Sequence, residues 1–211
     1  GDDVVYFSIS AGISGSWLSA QLAGDDLMEQ YPQRRVCPID SMGASLGAGI
    51  PALKASSLVR QGMGLDELVE KMTVYCQNYC QYFAVDDLKY LRKGGRLPAA
   101  VAVAGGMLGI KPLITIQDGK VAMAGKARGL PGAYVALFKK VEEMGGINPA
   151  FQALAGYTVS PREVAPIQTY LRDNLQQEDL LVRQIGCVIG THAGPGAFGI
   201  AFFDKTLTLD L

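Results

Sequence analysis

The sequence predicts an α/β protein in two parts, a parallel α/β sheet region over residues 1–81 and an α+β region over residues 82–211 with mainly antiparallel strands. Two observations carry this reading. Up to about residue 81, short apolar runs alternate with segments of helical periodicity, the pattern of parallel strands joined by crossover helices. Beyond it, Asp118-Gly119 between two apolar runs signals a tight hairpin and hence antiparallel pairing.

The elements follow in order. An apolar strand at 4–10 enters a Gly and Ser turn and then a helix from about Gly15 to Tyr31, carrying Trp17, Leu18, Leu22, Leu27 and Met28. Val36 to Asp40 reads as a second strand, followed by a helix through Leu46, Ile50, Leu53 and Leu58. Leu65, Leu68, Met72, Cys76 and Tyr79 mark a third helix entered through Gly64. In the second part Tyr82 to Val85 predicts a strand, and Asp86 to Lys93 a short helix stopped by Gly94-Gly95. The hairpin strands are Leu113 to Gln117 and Lys120 to Ala124. A helix runs from Pro131 to Met144, a strand lies near 151–158, a helix spans about 162–175, and strands lie near 181–189 and 197–203.

Composition narrows the function. The chain has 211 residues, 49% hydrophobic and 18% charged, with a formal net charge of −1, so no whole-chain field draws it to nucleic acid or an anionic membrane. A single histidine, His192, removes any two-histidine zinc site within the chain. Cys37, Cys76, Cys80 and Cys187 lack Cys-x-x-Cys spacing and read as reduced thiols. Cys76 and Cys80 would share one face if both were helical. No run approaches the roughly 20 apolar residues of a membrane span, and no signal peptide opens the chain, so the expected location is the cytoplasm. Because the chain opens on Gly1 and runs almost directly into a strand, it is expected to be the remainder of a longer protein whose first strand lies upstream.

Several segments could carry chemistry. Ile9-Ser10-Ala11-Gly12-Ile13-Ser14-Gly15-Ser16-Trp17 joins a strand end to a helix start, where a phosphate or carboxylate is favoured, although Ser14 or Ser16 could equally serve as an N-cap. A hydrolase reading would make Ser14 the nucleophile, His192 its base and Asp40 or Asp204 the orienting acid, but Gly12-Ile13-Ser14-Gly15-Ser16 lacks the final glycine of G-x-S-x-G. Gly47-Ala48-Gly49-Ile50-Pro51-Ala52 resembles a dinucleotide fingerprint without its strand or its acid, and is better explained by close helix packing. Arg92, Lys93 and Arg96 surround a helix-ending glycine pair, with Lys126 and Arg128 as a second cationic point. These suit either a helix dipole or an anionic partner. His192 lies in a Gly- and Pro-rich stretch expected to be a rigid loop between strands.

Taken in order, the segment 9–17, Ile39-Asp40-Ser41, Leu88 to Arg96, Ile110 to Leu113, Lys126 to Gly129 and Gly190 to Ala197 resemble the DegV family of fatty-acid-binding proteins. The resemblance runs nearly end to end and implies a two-domain fold that binds a long-chain fatty acid in an apolar tunnel between or beneath the domains. It further implies no catalytic set and no cofactor in this chain, and presentation of the carboxyl group to an ATP-dependent fatty acid kinase subunit, which makes an acyl phosphate for lipid synthesis. Where the family has a second serine this chain has Ala11, so Ser10, Ser14 or the Ala11 amide would hold the carboxyl group together with His192. Arg96 and Arg128 match arginines implicated in docking the kinase. The alternatives are a serine hydrolase acting on a small ester and an orphan lipid-binding regulator.

Overall fold

A computed structural model describes residues 2–97 and 109–208. Two strands, β1 (Val4–Ser8) and β2 (Val36–Asp40), pair in parallel and are joined by α1 (Ser16–Gln30). Helices α2 (Leu46–Arg60) and α3 (Leu65–Cys76) follow. The chain then enters a larger sheet made of β3 (Cys80–Ala84), β4 (Ile110–Gln117), β5 (Lys120–Arg128), β6 (Ala153–Tyr157), β7 (Leu180–Gln184) and β8 (Phe198–Phe202). Its order is β5-β4-β3-β8-β6-β7, antiparallel throughout except where β6 and β7 pair in parallel. The remaining helices are α4 (Lys89–Lys93), α5 (Gly129–Glu143), α6 (Ala165–Leu175) and α7 (Cys187–Ala193).

Strand periodicity explains how this sheet divides two apolar cores. Phe83, Ile114, Val121 and Ala201 face α2 and α3, joining Ile39, Leu46, Ile50, Met72 and Tyr75 in one buried cluster. Their neighbours Ala84, Leu113, Ile200 and Phe202 face the other way, packing with Leu137 and Val141 of α5 and Ile167 and Leu171 of α6. The first cluster thus runs continuously from the two-stranded sheet to the large one. A register shift between Leu113 and Ile114 interrupts the β4–β5 ladder, and so bends the hairpin that reaches toward the β1–α1 loop.

The hairpin turn is the one expected: Asp118 and Gly119 both have positive φ, at 50° and 73°, the backbone of a two-residue hairpin turn. Three local readings are corrected. The strand expected at 181–189 stops at Gln184, and Cys187–Ala193 forms a helix, so His192 stands on the last turn of α7 rather than on a loop. A seven-residue helix is too short to show a period, and its β-branched Val188 and Ile189 imitate a strand. Cys76 ends α3 while Cys80 begins β3, so the two do not share a helix face, and Tyr79 lies beyond the helix. All four cysteines are free thiols.

Candidate functional site

An apolar cavity of about 410 Å³ lies between the two sheets, within the range of about 300–1,000 Å³ typical of small-ligand pockets. Its floor is the large sheet, through Phe83, Ile114, Ile116 and Val121. Tyr6, Ile9 and Ile13 supply one wall, and Ser45 and Ala48 at the start of α2 another. Helix α7 contributes Val188, Ile189 and His192, with Leu91 of α4 beside it. The polar side chains are few: Ser14, Ser16, Ser45, Arg96, His192 and the Tyr6 phenol. A second, more polar hollow shares Ile13, Ser14, Arg96 and Val121 with this cavity and adds Gly12, Gly95 and Lys120. Ser14 and Arg96 therefore stand where an apolar interior meets a polar exit.

Local chain geometry sets each of these groups. Ser14 and Ser16 are linked hydroxyl to hydroxyl at 2.9 Å, and the Ser16 amide donates to Ser14 Oγ at 3.2 Å, a short turn that opens α1. Helix α4 ends in a Schellman turn. The Gly95 and Arg96 amides donate to the Arg92 and Leu91 carbonyls, with Gly95 at φ 71°. That turn carries Arg96 back across the molecule, where its Nε donates to the Ile13 carbonyl at 3.2 Å and its Nη1 to the Gly94 carbonyl at 2.7 Å. The guanidinium is thereby tied to the serine turn while the residue remains exposed. His192 packs its Nδ1 against Gly94, where any side chain would collide with the ring. Nδ1 is buried without a hydrogen-bond partner among the described residues, which leaves Nε2 as the nitrogen able to meet a ligand.

Ser10 and Ala11 are placed differently from the sequence reading. Ser10 is fully buried, and its hydroxyl donates to the Gly119 carbonyl at 2.7 Å while accepting from the Gly12 amide. It latches the hairpin tip to the β1–α1 loop. The Ala11 amide donates to Asp40 Oδ2 at 3.1 Å, and Ala11 borders only the polar hollow. Neither lines the apolar cavity. Arg128 ends β5 as an exposed residue outside both hollows. The hydrolase set built on Ser14 is not assembled: Asp40 accepts from Ala11 and Met42, Asp204 accepts from Thr206, and neither orients His192. Ser14 also lacks the left-handed backbone of a strand-to-helix elbow. The six-residue stretch from Gly47 to Ala52 lies in the first turns of α2, where a side chain at Gly47 would collide with Gln81 and Tyr79, so close packing accounts for it. Burial pushes the Tyr79 phenol up, keeping it a donor to the Ser41 carbonyl at 2.8 Å.

One lining residue escaped the sequence reading although its signal was present. Gly43-Ala44-Ser45-Leu46-Gly47 satisfies G-x-S-x-G directly after β2 and opens α2.

The family model described as "Uncharacterised protein, DegV family" matches residues 1–205. The chain belongs to the DegV family. A DegV domain-containing protein of Deinococcus radiodurans is 36% identical over 205 residues, 95% of this chain and 69% of that protein. Among solved structures, a fatty-acid-binding DegV protein from Thermus thermophilus is 31% identical, with a TM-score of 0.82 over 97% of this chain and 71% of that one. The Streptococcus pneumoniae fatty acid kinase B3 protein, solved loaded with linoleic acid, shares the fold at a TM-score of 0.87 with 22% identity, covering 97% of this chain and 72% of that one. The two-sheet arrangement is thus the DegV fold. No helix of the described residues is long and apolar enough to cross a membrane.

Proposed function

We propose that this DegV chain carries a long-chain fatty acid, with the acyl chain in the apolar cavity and the carboxylate at its polar exit. The observation that carries the reading is the cavity itself, apolar along its length and polar at Ser14, Arg96 and His192. Burying about a dozen methylenes at roughly 0.8 kcal/mol each supplies on the order of ten kcal/mol before the costs of association. A carboxylate there would accept from the Ser14 hydroxyl and the Arg96 guanidinium, and from His192 Nε2 when that nitrogen carries a proton. Ser10 serves this site indirectly, by fixing the loop that presents Ser14.

In this reading the chain supplies no phosphoryl-transfer machinery and hands the exposed carboxylate to an ATP-dependent kinase. The exposed Arg96 at the exit and Arg128 on the edge strand β5 are suited to an acidic docking face. Arg96 would act twice, on the ligand and on the partner. The test is organic extraction of the protein as purified, with the released lipid identified and counted, followed by reconstitution with a fatty acid kinase subunit. One fatty acid per chain, phosphorylation by the wild type, and an Arg128→Ala variant that keeps its lipid but loses turnover are expected. A chain that neither contains nor takes up fatty acid would refute the carrier reading, and undiminished turnover in Arg128→Ala would refute the docking assignment.

A further inference from the structure

We propose that Ser45 is a nucleophile, and that the cavity can cleave activated acyl derivatives, esters or thioesters, by acyl transfer through this serine to water. The inference shares the apolar cavity and His192 with the carrier reading, but not its ligand.

Ser45 sits at φ 53° and ψ −112°, a conformation that an L-residue with a side chain rarely adopts. A serine before a helix ordinarily takes an extended backbone and caps the amides of the first turn. Ser45 does neither: its hydroxyl makes no capping bond, and it lines the cavity. The geometry is that of a strand-turn-helix elbow, in which a sharp left-handed turn exposes the nucleophile and requires small residues two positions to either side. Here those are Gly43 and Gly47. Side chains at either position would collide with Tyr79 and Gln81.

The rest of the chemistry lies beside Ser45 or on the same cavity. The Gly47 and Ala48 amides close onto the Ala44 and Ser45 carbonyls, so the Leu46 amide has no backbone acceptor among the described residues. It follows the serine directly, the position from which an elbow donates to an oxyanion. His192 lines the same cavity, with Nδ1 held against Gly94 and Nε2 available as base. Ser45 Oγ would bond to the acyl carbonyl carbon as its proton passes to Nε2, and the ester C–O or thioester C–S bond would break as the leaving alcohol or thiol takes that proton. Water would then attack the acyl-serine, its proton returning through His192 to Ser45 Oγ, to release a carboxylic acid. No orienting carboxylate bonds His192, so the assembly is a dyad and its turnover should be modest.

The test treats the folded chain with a fluorophosphonate, maps the adduct by peptide mass spectrometry, and measures hydrolysis of 4-nitrophenyl decanoate. Ser45→Gly is the decisive variant, because glycine accepts the left-handed backbone. It should melt at or above the wild-type temperature while losing both the adduct and at least about a hundredfold in turnover. Ser57→Ala, on α2 outside the cavity, should match the wild type in both. An adduct on Ser45 with turnover lost in Ser45→Gly supports the proposal. No adduct, an adduct elsewhere, or full turnover in a folded Ser45→Gly overturns it, and none of these results depends on whether a free fatty acid is retained.

Discussion

Gly94 and His192 meet without space for even one added methyl group, which makes Gly94 the residue that positions the imidazole. Gly94→Ala, at a backbone φ of −78° that alanine tolerates, should displace the ring. It should cost about 1–3 kcal/mol by overpacking, read by urea denaturation, and weaken fatty acid binding in titration. The buried thiols give a pH prediction. Burial pushes Cys76 up to about 12 and Cys80 up to about 11 from an ordinary value of 9.0. Between pH 9 and these values the unfolded chain releases protons that the folded chain retains. Stability contributed by the neutral buried thiols is therefore whole below pH 9 and is lost as pH rises through 11 to 12, which urea midpoints measured from pH 7 to pH 11 should show. At this scale the sequence disclosed identities but not surroundings. Ser10 and Ser14 look equivalent in the chain, and only the hairpin tip arriving from more than a hundred residues away assigns one to the scaffold and the other to the cavity.

Among the elements, the β4–β5 hairpin and the β1–α1 loop form the joint on which the site depends. Ser10→Ala leaves the Gly119 carbonyl without its donor and should cost about 1–3 kcal/mol. Because the same bond holds the loop bearing Ser14, fatty acid affinity should fall with it, measured by titration at a temperature where the variant is fully folded. Secondary structure was largely legible in the long helices, since α1 and α2 lie where periodicity puts them; β2, though short, also lies where expected, and Asp118-Gly119 announced its own turn. Helix α7 was not legible, because seven residues with no buried member carry no amphipathic signature. Its place over the cavity comes from tertiary contact with α4. The apolar lining was equally hidden, since Phe83 and Ile114 alternate in their strands whether a core or a ligand covers them.

For the molecule as a whole, the two sheets share one apolar cluster and leave a gap in it, which in the proposed function the acyl chain fills. Fatty acid should therefore stabilise the fold as well as bind to it, with the melting temperature rising as ligand exceeds its dissociation constant. The apolar term should make affinity depend more on chain length than on salt. The family resemblance conveyed this architecture from scattered motifs, of which the segments 9–17, 88–96 and 190–197 each place residues on the cavity. What no motif conveyed was the cavity's extent. The most direct measurement is native mass spectrometry of the delipidated chain with added palmitate, beside an Ile189→Trp variant that fills the cavity from the lightly packed helix α7. The account predicts one palmitate per wild-type chain and none on the folded variant. A wild type that stays empty, or a variant that binds as the wild type does, would contradict it.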